Sequence, residues 1–98
     1  MSAFAAETEF ARIRLIIRGR VQGVGFRFAA RDEAKNRALA GWVRNLSNGD
    51  VEIVAEGRRR DLQALVAWAH LGPSYARVDE VSEQWSVASR AFTGFEIR

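Results

Sequence analysis

Residues 12–27 read Arg12-Ile13-Arg14-Leu15-Ile16-Ile17-Arg18-Gly19-Arg20-Val21-Gln22-Gly23-Val24-Gly25-Phe26-Arg27, a strand pattern that runs through a glycine-rich turn into a helix pattern. Ile13, Leu15 and Ile17 alternate with Arg12, Arg14, Ile16 and Arg18, which is the period of a strand with one buried face. From Phe26 the apolar positions recur at Ala30, Ala34 and Ala38, with Leu39 alongside, while Arg27, Arg31 and Lys35 lie on another face; this predicts the first helix. Gly41 is expected to close that helix as its C′ residue.

Outward from this unit the chain alternates again. Residues 42–46 read as a second strand, and Ser47-Asn48-Gly49-Asp50 is hairpin-turn chemistry. Val51, Ile53 and Ala55 alternate with Glu52, Val54 and Glu56 in a third strand. Leu62, Leu65, Val66 and Ala69 stand at i, i+3, i+4 and i+7 of a second helix, with Asp61 in its first turn and Gly72-Pro73 as its stop. Residues 78–85 form a less regular fourth strand, and Phe95-Glu96-Ile97-Arg98 a short last one. The order β-α-β-β-α-β predicts an α+β fold, the ferredoxin-like sandwich: an antiparallel sheet with two helices on one face, here with a short extra C-terminal strand.

Composition narrows the class. Ninety-eight residues with 48% hydrophobic content suit one domain with a modest core. With no cysteine there is neither a disulfide framework nor thiol chemistry, and the single histidine, His70, is expected on the surface rather than at a metal. No apolar run approaches the roughly 18–20 residues that span a bilayer, so no membrane association is expected. Residues 1–10 carry Glu7 and Glu9 and lack a basic n-region, so they read as a flexible N-terminal tail and the protein as cytoplasmic. The net charge is +3, from fourteen arginines and one lysine against twelve acids. That charge is scattered; its one run, Arg58-Arg59-Arg60, reads as a solvated basic turn. Trp42, Trp68 and Trp85 are expected in core or helix–sheet packing.

The turn between the first strand and helix carries the chemistry. Three glycines in seven positions let the backbone bend sharply and approach a ligand. Amides at a helix N-terminus attract anions, and a guanidinium completes a phosphate-sized cradle. The backbone amides of Val21, Gln22, Gly23, Val24, Gly25 and Phe26 would surround phosphoryl oxygens, and Arg27 would neutralise their charge with a forked pair of bonds. In this topology strands one and two are parallel with strand three between them, so Asn45, near the end of strand two, stands at the same sheet edge, roughly 10 Å away. Its carboxamide both donates and accepts, and could hold a water in line with the phosphorus. Taken singly, the glycine run could be only a tight turn, Arg27 a solvated helix residue and Asn45 a turn former; their conjunction favours the site. None of these side chains is a good base or nucleophile. That limits the reaction to a substrate with an excellent leaving group, such as a carboxyl-phosphate anhydride. Neither a Walker A loop nor a dinucleotide fingerprint is present.

At these residues the sequence resembles the acylphosphatase family. One signature is residues 19–27 as quoted above; the other is Gly41-Trp42-Val43-Arg44-Asn45 continuing through Asn48-Gly49-Asp50-Val51-Glu52, and Gly72-Pro73 before Ala76-Arg77-Val78 is similar to the family's lead-in to its fourth strand. The resemblance covers residues 11–98, which makes that span an acylphosphatase-like domain. It implies hydrolysis of acyl phosphates to a carboxylate and inorganic phosphate, a metal-independent reaction with no cofactor. Arg27 matches the family's phosphate-binding arginine, Asn45 the asparagine that orients the attacking water, and the loop amides the phosphate cradle. Leu46 departs from the pattern, since many members have a hydroxyl residue there. The expected partners are a small-molecule acyl phosphate and inorganic phosphate, as product and competitive inhibitor; no nucleic acid is expected, and a monomer is.

Two other classes compete. A non-catalytic module that binds a phosphorylated ligand would use the same cradle without turnover. An RNA-binding sandwich would answer to the high pI, but strand three lacks the aromatics that such sheets use to stack bases and carries acids instead.

Overall fold

Strand pairing builds the molecule around its centre. In the computed structural model, which describes residues 7–98, β1 (Phe10–Arg20) pairs antiparallel with both β3 (Val51–Arg58) and β4 (Arg77–Ser86), and β2 (Ala40–Asn45) pairs antiparallel with β3. A short β5 (Phe95–Ile97) joins β2 in parallel, giving the order β4-β1-β3-β2-β5. The expected antiparallel sheet therefore holds for the first four strands, and the last one makes the sheet mixed. Residues 1–6 of the expected flexible tail lie outside the described residues, and Phe10 already belongs to β1.

Two helices, α1 (Phe26–Asn36) and α2 (Arg59–Leu71), cover one face of the sheet. Ile13, Leu15 and Ile17 of β1, with Val43, Val51, Ile53 and Ala55, point into this layer and are fully buried. Phe26, Ala30 and Ala34 meet them from α1, and Leu62, Leu65 and Ala69 from α2. The small alanine face of α1 lets that helix lie close to the sheet, a consequence of interlocking side chains at crystal-like density. The Phe26 and Trp68 rings, 5.2 Å apart and tilted by 56°, join the start of α1 to the last turns of α2.

Three expectations need correction. α1 ends at Asn36, a turn earlier than the alanine period suggests; Ala38 adopts a positive φ of 55° and Leu39 N donates back to Ala34 O. Gly41 is thus not a helix cap but a β2 residue at φ 144°, where any side chain would collide with the Val54 carbonyl. Arg58-Arg59-Arg60 is no separate turn: Arg58 ends β3, and Arg59 and Arg60 open α2 directly. Glu52, Val54 and Glu56 are buried although they face away from the helices. Arginines of β1 and β2 and the segment after β4 lie over them. That segment must cross from one sheet edge to the other to deliver β5.

The tryptophans divide between the two faces. Trp68 and Trp85 pack against the helix-side core. Trp42 lies half-buried on the other face, between the guanidinium groups of Arg44 (5.0 Å) and Arg98 (5.1 Å). His70 is exposed on the last turn of α2, as expected. No helix among the described residues is long and apolar enough to cross a membrane.

Candidate active site

The start of α1 is built to leave backbone donors open. Gly25 occupies the N-cap in the left-handed region, at φ 79°, and contributes no side-chain acceptor. Gly23 stands at φ 75°, also accessible chiefly to glycine. A methyl on either would meet nothing within 4 Å, so these glycines serve the bend and leave the space above it open. The first turn of α1 contains no acid, and none of the amides from Gln22 to Phe26 donates to an acceptor among the described residues. A helix N-terminus carries partial positive charge, which an acceptor side chain or an acid in its first turn ordinarily offsets. Here neither does. Arg27, half-buried one residue into the helix, adds a full positive charge and has no carboxylate or hydrogen-bond partner among the described residues. Arg27 follows the loop amides directly, in the first turn of α1.

Asn45 reaches the same edge through the sheet. Val51 pairs with Ile17 on one side and with Asn45 on the other, so the three residues form one row on the helix-covered face. Asn45 Oδ1 is buried and has no hydrogen-bond partner among the described residues, an unsatisfied acceptor of the kind that structures rarely tolerate without use. A direct tie joins the two halves of the site. Gln22 Nε2 donates to the Leu46 carbonyl at 2.8 Å and to the Asp50 carbonyl at 2.9 Å. These are the closing residues of the β2–β3 hairpin, itself locked by Leu46 N to Asp50 O at 2.8 Å. The glycine bend is therefore fastened to the residue that follows Asn45.

The Acylphosphatase family model matches residues 13–97 of this sequence. The chain belongs to the acylphosphatase family. It is accordingly an enzyme of the hydrolase class. It is 46% identical over 89 residues to an acylphosphatase of a Roseiflexus species, a match that covers 91% of this chain and 96% of that one. It is 48% identical over 87 residues to an acylphosphatase of Anaeromyxobacter dehalogenans, covering 89% and 94%. Among solved structures, an acylphosphatase from Bacillus subtilis superposes with a TM-score of 0.87 at 41% identity, covering 90% of this chain and 98% of that one.

Within this acylphosphatase-family domain, several supporting residues escape a reading of the sequence. The sequence assigns the Gln22 amide to the cradle; its side chain is the tie. On the open face, Glu52 is 3% exposed and accepts from Arg14 Nε and Arg44 Nε, each at 2.6 Å. Burial pushes its carboxyl up, but the bonds from Arg44 and Arg14 outweigh this and hold it below the usual carboxylate range. Glu56 accepts from Ser89 N (2.7 Å), Ser89 Oγ (2.9 Å) and Arg90 N (2.8 Å). Its carboxyl, raised by burial, is lowered further by the Ser89 and Arg90 bonds. The period-two pattern marks Glu52 and Glu56 as surface acids; only the cross-strand arginines in the sequence hint otherwise. Among the described residues, no group of three or more His, Asp or Glu side chains is placed to hold a metal ion. Two surface hollows of about 310 and 290 Å³ lie elsewhere, beside β5 and beside the start of β1.

Proposed function

We propose that this protein hydrolyses acyl phosphates to a carboxylate and inorganic phosphate. The phosphoryl group sits on the amides of Val21, Gln22, Gly23, Val24, Gly25 and Phe26, and Arg27 offsets its charge with two parallel hydrogen bonds. Asn45 Oδ1 accepts a hydrogen bond from a water and aims its oxygen at phosphorus. The new bond is P–O from that water; the bond that breaks joins phosphorus to the carboxylate oxygen, which leaves with the electron pair. The proton of the attacking water passes to the released phosphate or to solvent. No side chain in the cradle is needed as a base, because a carboxylate is a good leaving group and the loose transition state asks mainly for charge stabilisation in place. Inorganic phosphate, as product, competes for the same cradle.

The observation that carries this reading is the uncapped, acid-free start of α1 beside an arginine with no partner among the described residues. The test is release of phosphate from an aromatic acyl phosphate by wild type and Arg27→Ala, with circular dichroism to show that both fold. Losing a preorganised charge-stabilising donor is expected to lower kcat/KM by about 10²–10³-fold. Near-normal turnover in the folded variant removes Arg27 from the mechanism; phosphate binding without turnover in wild type turns the reading to a non-catalytic binding module.

A further inference from the structure

The amide loop is not the only place where guanidinium groups stand without an acid. Among the described residues, the arginines with no carboxylate partner are Arg20, Arg27, Arg58, Arg59 and Arg90. Arg20 and Arg27 flank the loop. The other three gather at the opposite pole, where β1 begins, β3 and β4 end and α2 starts. β1 is 11 residues long, so roughly 35 Å separate the two poles. A hollow of about 290 Å³ opens at the far pole, and Phe10, Val87, Trp85, Arg59 and Glu9 are in its lining. Phe10 is 43% and Val87 89% exposed. The Arg59 guanidinium lies 4.5 Å from the Trp85 ring on the helix side, and that of Arg90 lies 4.2 Å from the Phe10 ring on the open side. Arg58 is the cross-strand partner of Phe10 and shares its side. Arg90 stands at φ 58°, a backbone region that glycine usually fills, and Glu56 accepts its N–H at 2.8 Å.

A guanidinium stacked on a ring is held in place with its N–H donors, which lie in its own plane, free for an anion. Exposed apolar side chains rimmed by such groups mark an interaction surface. We infer that this pole docks an acidic segment of a partner protein, whose carboxylates meet Arg58, Arg59 and Arg90 while one apolar side chain enters the hollow. Glu9 is the acid in the lining; Asp61 lies 4.0 Å from Arg60, and Glu83 accepts from Trp85 Nε1 at 3.0 Å. The three arginines thus keep their charge open to a partner of opposite sign. Arg59 and Arg90 lie on opposite sides of the sheet end, so one small anion does not meet both, whereas a chain with several carboxylates does. The hollow falls below the ~300–1,000 Å³ that encloses a small-molecule ligand, yet it takes a leucine-sized side chain. Both rings already carry an arginine and Trp85 also packs on the core, which leaves no open platform on which a nucleic-acid base could stack. With the poles at opposite ends of β1, the amide loop stays accessible while the far pole is occupied.

The experiment titrates the protein into a short fluorescein-labelled peptide of glutamates around a central leucine, read by anisotropy at ~0.15 M salt. The controls are the same peptide without leucine, its lysine counterpart and a labelled single-stranded RNA. The peptide is expected to bind wild type, and the double variant Arg59→Gln/Arg90→Gln to bind it about tenfold more weakly, the worth of two exposed ion pairs. Arg31→Gln, which removes a charge on α1, should stay within about twofold. Amide shifts on adding the peptide should fall on Phe10, Arg59, Trp85 and Val87 and spare residues 21–27. No binding of the peptide, or an equal loss in Arg31→Gln, overturns the docking pole. So do shifts centred on residues 21–27, which would place the carboxylates in the amide loop. Equal binding without the leucine removes the hollow from recognition, and tighter binding of the RNA gives the pole to nucleic acid; either result also overturns the proposal. None of these outcomes bears on turnover at the amide loop.

Discussion

Gln22 is bonded to Leu46 across the mouth of the site: its Nε2 donates to the Leu46 carbonyl at 2.8 Å, and the same nitrogen reaches Asp50 O at 2.9 Å. The two strands that carry the proposed cradle and the proposed water-holder are not neighbours in the sheet, since β3 lies between them. The Gln22 side chain therefore links the loop before Arg27 to the residue after Asn45 directly, beside the route through the sheet. Gln22→Glu replaces the donor with an oxygen facing two carbonyl oxygens. It is expected to cost about 1–3 kcal/mol in urea denaturation. Gln22→Met keeps the bulk without the donor; it should lower kcat about 10–100-fold with a smaller change in the inhibition constant for phosphate. Equal losses in both quantities would argue that the tie supports only the loop.

Asn45 offers a separation of stability from activity. Its buried Oδ1 has no partner among the described residues, so Asn45→Leu removes an unmet acceptor. The variant should be as stable as wild type or more so, by up to about 1 kcal/mol, while turnover falls at least about 10²-fold. Denaturation and kinetics on one preparation decide it; a large loss of stability would show that Asn45 is needed for the fold.

Acid should reach Glu52 late. Its carboxyl titrates lower in the folded protein than in the unfolded chain, where about 4.3 is ordinary. The stability it adds is complete above the unfolded value and is lost as pH falls through the lower, folded one. Glu52→Gln should therefore be less stable than wild type at pH 7, with the gap closing below about pH 4. A gap independent of pH between 7 and 3 would assign the effect to packing instead.

The legible part of this molecule is the part governed by period and by turn chemistry. Alternation over residues 13–17 and 51–55 marks the two central strands, and Asn48-Gly49 marks their hairpin neighbour, because one buried face imposes period two and a tight turn demands particular residues. The glycine bend and Arg27 are legible for the same local reason. Gln22 and Asn45 illustrate what is not: that a carboxamide meets two carbonyls 24 and 28 residues away, or that an oxygen is left without a donor, follows from packing and not from neighbours in the chain. Gly41 misleads because glycine after a helical run usually caps it, whereas here close approach to Val54 claims the position. Glu52 and Glu56 mislead because an arginine stem can cover an acid as fully as an aliphatic side chain does.

Glu56 holds the segment that leads to β5. Three donors from Ser89 and Arg90 converge on it. Glu56→Leu leaves the two backbone donors unmatched and should speed hydrogen exchange at Ser89 and Arg90 by at least about tenfold, while the amides of β1 and β3 exchange at a rate set by global stability. Uniform acceleration across the sheet would instead mean that this crossing is part of the cooperative core.

The Gly25 start of α1 has a thermodynamic side as well. A helix without an acceptor at its first turn is an incomplete element, and whatever anion settles there completes it. The occupant then becomes part of the native structure, present only when the chain is folded. Folding and occupancy are thus linked by mass action, and the melting temperature should climb with inorganic phosphate concentration. Arg27→Ala should flatten that climb. On the proposed reading, the product of the reaction would be a missing structural piece, lent while bound and withdrawn at each release.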